Sequence, residues 1–140
     1  MVVGDGEGLP VGIHLESASP AEVKLLEPTL QHTVIPHHAL TLPNGDPVRM
    51  ILDLAYDSDA FRWRMAQRGI EVVCPHRRNR RRPSLQDGRA LRRYRRRWKI
   101  ERMIAWLGNF RRLVVRYERN LLMYRAFVHV ACLLIIARQF

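Results

Sequence analysis

Cysteine is all but missing from this chain: Cys74 and Cys132 are the only two. Two thiols cannot form the bridge framework of a small secreted domain, nor close a four-ligand zinc site by themselves. A reducing compartment is the simpler expectation. No apolar run reaches the roughly 20 residues that a membrane span needs; the most apolar stretch, Ala126 to Ala137, is short and holds His129. The N-terminus, Met-Val-Val-Gly-Asp, carries no basic leader and no long apolar segment, which argues against a secretory signal. There is no glycine-rich phosphate loop ending in Gly-Lys-Ser/Thr, and no nucleophile elbow. His14, His37, His38 and the pair Cys74 and His76 lack the spacing of a closed metal site and read as loop and packing residues.

Acidic charge is scarce too, but unevenly. The 140 residues hold 24 Lys+Arg against 13 Asp+Glu, a net of +11, with 47% apolar residues, the composition and length of one folded domain. Up to residue 60, nine acidic groups face two basic ones, Lys24 and Arg49; beyond it, 22 basic groups face four acidic ones. Such segregation suggests one face that repels polyanions and another that grips them. A basic excess of this size implies self-repulsion unless a polyanion offsets it.

Short β-prone runs, Met1 to Val3 and Val11 to Leu15, flank Gly4-Asp5-Gly6-Glu7-Gly8, which reads as a hairpin turn. Ser19, Pro20 and Glu22 form a capping pattern ahead of Val23, Leu26 and Leu30, spaced as one helical face. The run Val48 to Leu54 is largely apolar, consistent with a buried strand ending at an aspartate, Asp53. Asp57 or Ser58 can cap a helix from Asp59 to Arg68, with Gly69 as its C′ residue, before a second strand, Ile70 to Cys74. Strand, helix, strand implies a parallel pair and an α/β layer. His76 to Pro83 reads as a solvated basic loop, and Gly88 to about Asn109 as one long helix. Arg111 to Arg119 reads as a basic connection of extended character, and Asn120 caps a last, core helix that is apolar on most sides.

Two carboxylates stand out. Asp53 sits at the carboxyl end of a strand, where open α/β sheets place their ligand sites; it is also suited to capping the next turn. Glu101 falls, in an uninterrupted helix, on one side with Tyr94, Arg97, Trp98 and Ala105. A carboxylate on a packed side needs a partner or a metal, and Arg97, four residues earlier, is the simplest partner. Asp57 and Asp59 read as helix-start residues, favourable to the dipole.

The segment Tyr94-x-x-Arg97-x-x-x-Glu101 resembles the Tyr-(2)-Arg-(3)-Glu signature of bacterial insertion-sequence transposases of the DDE class. The blocks Leu91 to Arg102, Ala105 to Leu113 and Arg116 to Arg119 are similar to the C-terminal part of that family, as is the closing Tyr124-Arg125-Ala126-Phe127. Asp53-x-x-Tyr56-Asp57-Ser58-Asp59 is similar to its second-aspartate motif. The likeness runs over essentially the whole chain. Leu54, where the family commonly has a basic residue, and Gly108, where longer signatures have lysine, depart from it.

The resemblance implies an RNase H-like α/β fold, a mixed sheet flanked by helices, over residues 1–140. It also implies that the first strand, with the first catalytic aspartate, is missing at the N-terminus, since Asp5 lies in a turn. It carries the second aspartate onto Asp53 and the glutamate onto Glu101, the expected catalytic and metal-binding pair. Two Mg²⁺ or Mn²⁺ ions would serve in-line phosphodiester cleavage and joining. Within residues 76–119, the resemblance and the charge pattern together make Tyr94, Arg97, Arg95, Arg96, Lys99, Arg77, Arg78, Arg111 and Arg112 the expected contacts to DNA, both transposon ends and target. The expectation is a cytoplasmic, nucleoid-associated transposase fragment, inactive alone, that pairs with itself or with a full-length transposase. A non-catalytic nucleic-acid-binding protein and an inhibitory fragment are the alternatives.

Overall fold

A computed structural model describes residues 1–16, 20–33, 45–86 and 88–140, which fall into two compact units: residues 1–34 with 98–140, and residues 35–97. In the first unit, β1 (Val2–Gly4) and β2 (Pro10–Ile13) pair antiparallel, with Val2 opposite Ile13 and Val3 opposite Gly12. Asp5 closes the turn between them: its Oδ1 accepts the backbone N–H groups of Glu7 and Leu9 at 2.9 and 2.8 Å. Gly8 has φ of +83°, and an added Cβ there would meet the Cβ and carbonyl oxygen of Lys99 at 3.1 Å; only glycine suits that position.

Helix α1 (Glu22–Gln31) packs on both strands through Leu26, Thr29 and Leu30. Its N-cap is Ala21, without a side-chain cap bond, so the Ser19 capping pattern does not start it; Ser19 itself lies outside the described residues. The last helix of the chain, α6 (Leu121–Ala137), starts as expected, with the Asn120 side chain accepting from the N–H of Leu122. It buries Val128, Ala131, Cys132 and Ile135, a single stripe at helical spacing, against β2 and its neighbours. The expectation of a helix buried on most sides is corrected here. Leu122, Leu133 and Val130 are 71%, 64% and 51% exposed, because partners cover one side only. No described helix is long and apolar enough to cross a membrane.

The second unit carries the strand–helix–strand reading. Strands β3 (Val48–Ile51) and β4 (Ile70–Val73) run parallel with Val48 opposite Ile70 and Ile51 opposite Val73. Between them α2 (Asp59–Gln67) buries Phe61 and Met65. Ser58 caps it, its side chain accepting from the N–H of Phe61, and Gly69 follows the C-cap at φ +73°. The fold is thus α/β, but β1–β2 and β3–β4 are separate two-stranded sheets; among the described residues no single mixed sheet forms.

Two further expectations fail in an informative way. The stretch from Gly88 is not one helix: α3 (Gly88–Arg92) passes into a 3₁₀ segment, Arg93–Arg97, before α4 (Trp98–Gly108). The tighter winding sets Tyr94 and Arg97, three apart, on one side, where the guanidinium donates to the tyrosine hydroxyl. After α4, the basic connection opens on one helical turn, α5 (Arg111–Val114), rather than an extended strand.

The basic loop after β4 is not simply solvated either. Asp57, with a side chain only 3% exposed, takes His76 Nδ1 at 2.7 Å, the N–H of Arg77 at 2.8 Å and Arg62 at 3.2 Å. Arg80 forks onto Asp59 at 2.8 and 3.2 Å, and Arg82 joins it at 3.1 Å. Burial alone would raise the Asp57 pKa, but the Arg77 N–H, His76 and Arg62 outweigh it and hold it below the ordinary carboxylate range. Arg80 and then Arg82 do the same for Asp59. Carboxyls depressed in the folded state stabilise it above their unfolded pKa of about 4, and that stability is lost as pH falls through the folded values. Thermal unfolding from pH 7 to 3 should therefore show a falling Tm below about pH 4. Asp57→Ala should remove about 3 kcal/mol at neutral pH, the cost of orphaning buried cations, and flatten that acid limb.

Candidate functional site

Asp53 stands two residues past the end of β3 and caps a 3₁₀ turn, Leu54–Tyr56, its Oδ1 accepting the N–H of Leu54. Capping and exposure coexist: the side chain is 56% exposed. The same Oδ1 meets Arg97 Nη1 at 3.1 Å. That nitrogen also donates to the Tyr94 hydroxyl at 2.8 Å, and the guanidinium lies over the Tyr94 ring at 5.6 Å. The 3₁₀ winding explains the contact, because residues three apart eclipse in it. The segment lies against β3, which brings a tyrosine and an arginine to an aspartate more than forty residues earlier in the chain. Asp53, Tyr94 and Arg97 therefore form one cluster, and Arg97 is its centre.

The stripe expected for Glu101 required unbroken α winding from Tyr94, and the 3₁₀ segment removes that premise. Glu101 is exposed in the first turn of α4, whose buried residue is Met103. It is not on the packed side.

The basic residues divide by how they are engaged. Lys99 is bound into the first unit: its Nζ donates to the Gly6 carbonyl and lies 3.3 Å from Glu7. Beside it Arg102, which sequence reasoning passed over, donates to the Glu7 carbonyl at 2.8 Å and lies between the rings of Trp98 and Trp106. Arg77 reaches the Ala55 carbonyl at 3.3 Å; Arg77, Arg78, Arg95 and Arg96 are all exposed. Arg111, Arg112 and Tyr117 line an open depression of the surface. Arg112 pairs there with Glu118 at 2.9 Å and covers the Phe127 ring. Tyr117 is 63% exposed; an aromatic among arginines was the available signal for it.

Sequence reasoning also missed the Arg62 hub. Arg62 binds the carbonyls of Val72 and Cys74, both at 2.9 Å, and the Cys74 sulfur at 2.8 Å, tying α2 to β4. The expectation that acidic and basic halves make opposing faces is corrected by such contacts. Asp53, Asp57, Asp59 and Glu7, all from the acidic part, each pair with a cation of the basic part.

Asp53 and Glu101, the carboxylates singled out by the sequence, are both exposed, and carboxylate oxygens are the hard donors that Mg²⁺ or Mn²⁺ prefer. Soft ligation does not compete: burial pushes the Cys74 thiol up and that of Cys132 to about 11. Among the described residues no three His, Cys, Asp or Glu side chains gather as a ready-made cage.

The family model described as "Transposase DDE domain" matches residues 1–136. A curated protein of Burkholderia cepacia, "Putative transposase for insertion sequence element IS402", is 34% identical over 138 residues, 96% of this chain. The chain spans 60% of the length of that relative. No solved structure matches this chain.

The Asp53–Arg97 pair is solvated, and such pairs contribute about 0–1 kcal/mol. Arg97→Gln should accordingly lower the unfolding free energy, measured by denaturant titration, by no more than that amount. A loss of several kcal/mol would show the arginine to be a structural strut.

Proposed function

The chain belongs to the transposase DDE domain family, and on that premise we propose that it acts on DNA in transposition, with Asp53 and Glu101 as its metal-binding carboxylates. The observation that carries the reading is the meeting of Asp53 with Tyr94 and Arg97. Two separate stretches of the family's motif pattern supply one cluster, and that cluster combines an exposed carboxylate with a cation suited to phosphate.

Transposases of this family generally use divalent ions; a bound ion supplies positive charge to the oxygens of a phosphodiester under attack. The chain's own groups do the positioning. The N–H of Leu54 fixes one oxygen of Asp53. Tyr94 steadies Arg97 from one side, and a planar guanidinium is the side chain best suited to a phosphate. Arg95 and Arg96 extend the basic surface, with Arg77, Arg78, Arg111 and Arg112 adding charge along residues 76–119. Contacts to phosphate fix register without reading sequence, so affinity comes from the backbone and falls with salt.

Binding of this kind has a measurable signature. If about six phosphates are engaged, log Kd against log salt should have a slope of about 5 on duplex DNA of arbitrary sequence. Arg95→Ala with Arg96→Ala should reduce the slope by about one for each phosphate that the variant no longer engages. An affinity that does not change between low and moderate salt would contradict the proposal. For the carboxylates, Mn²⁺ titration followed by electron paramagnetic resonance should show binding that Asp53→Asn and Glu101→Gln each weaken. Binding indifferent to both would remove them from the site.

A further inference from the structure

The contact between Arg97 and Asp53 sets two demands against each other. The carboxylate proposed as a metal ligand is already neutralised by a guanidinium at 3.1 Å, on the same Oδ1 that holds the N–H of Leu54. The arginine proposed to hold a DNA phosphate is already spent on that carboxylate and on the Tyr94 hydroxyl. A divalent cation and a guanidinium on one carboxylate repel each other, so the ion and Arg97 compete for Asp53. A phosphate and Asp53 likewise compete for Arg97.

We propose that Arg97 is an exchangeable counter-ion which couples DNA binding to metal binding: without DNA it neutralises Asp53, and a DNA phosphate that captures it releases the carboxylate to a divalent ion. The geometry allows the exchange without refolding. Tyr94 holds the guanidinium through its hydroxyl and ring face, and the exchange asks only for rotation of the Arg97 side chain about its own bonds. The pair is accessible, with Asp53 56% and Arg97 33% exposed, so an incoming phosphate can reach it. The result is a site that is weak for metal until DNA is present. By linkage, metal must strengthen DNA binding through Arg97 by the same factor.

The proposal rests on Asp53 being a metal ligand, and the test separates the two ideas. Mn²⁺ affinity of the full 140-residue chain is measured by electron paramagnetic resonance, with and without a short duplex of arbitrary sequence. The chains compared are wild type, Arg97→Gln, Tyr94→Phe and Arg64→Gln, the last removing a charge from α2 that is not part of the cluster. Without DNA, Arg97→Gln should bind Mn²⁺ on the order of tenfold more tightly than wild type, as expected for removing a unit charge beside the ion. Tyr94→Phe should give a smaller gain and Arg64→Gln none. Asp53→Asn added to Arg97→Gln should cancel the gain. Duplex DNA should tighten Mn²⁺ binding to wild type and add much less to Arg97→Gln.

Equal Mn²⁺ affinity in wild type and Arg97→Gln, still lost in Asp53→Asn, would overturn the exchange while leaving Asp53 as a ligand. A gain as large in Arg64→Gln would also overturn it, reducing the effect to general charge. Mn²⁺ binding indifferent to Asp53 in every background, with and without DNA, would remove the metal reading and the exchange together.

Discussion

Excess positive charge is what the rest of this structure has to accommodate. Twenty-two basic groups beyond residue 60 face only four acidic ones in the same stretch, too few to balance them locally. Carboxylates from earlier in the chain are drawn among them. Asp57 lies beneath the basic loop, receiving Arg62, His76 and the N–H of Arg77, while Asp59 holds the forked Arg80. At the hairpin of the first unit, Glu7 meets Lys99 through its carboxylate and Arg102 through its carbonyl. Charge that is segregated along the sequence is interleaved in space. The cations left exposed, such as Arg78, Arg95 and Arg96, are those that the proposed function assigns to nucleic acid.

The same balance shapes the candidate site. A lone exposed aspartate at the end of a strand is common and says little. One that shares a single guanidinium nitrogen with a tyrosine hydroxyl is a more particular arrangement, since each group limits where the others can go. It also makes the site responsive, as the charge on Asp53 is available only to the extent that Arg97 has another anion to hold.

Much of the second unit was legible beforehand, because its signals are local. Ser58 as cap, Gly69 as the turn residue and the apolar runs on either side of α2 fix strand, helix and strand without knowledge of the tertiary fold. The long basic stretch was not legible in the same way. No glycine or proline marks the passage from α3 to the 3₁₀ segment, and a periodicity count is blind to what accompanies it, the Tyr94–Arg97 contact and the distant Asp53. The placement of Glu101 failed with that helix, since a face inferred from 3.6-residue periodicity has no meaning across a segment wound at three. The likeness of their motifs singles out Asp53 and Arg97, but their contact spans a separation no local rule reaches. The last helix misled for a different reason: composition shows how apolar a helix is, and not how many neighbours it will have.

Winding at three residues per turn has one more consequence. Each residue in the Arg93–Arg97 segment advances the side chain by about 120°. Arg95 and Arg96 can therefore exchange for other side chains without disturbing the alignment of Tyr94 over Arg97. Inserting or deleting a single residue between them would swing the guanidinium by a third of a turn and point it away from the tyrosine. The segment is thus permissive in composition and strict in length, and a common rotational phase is what Tyr94 and Arg97 share.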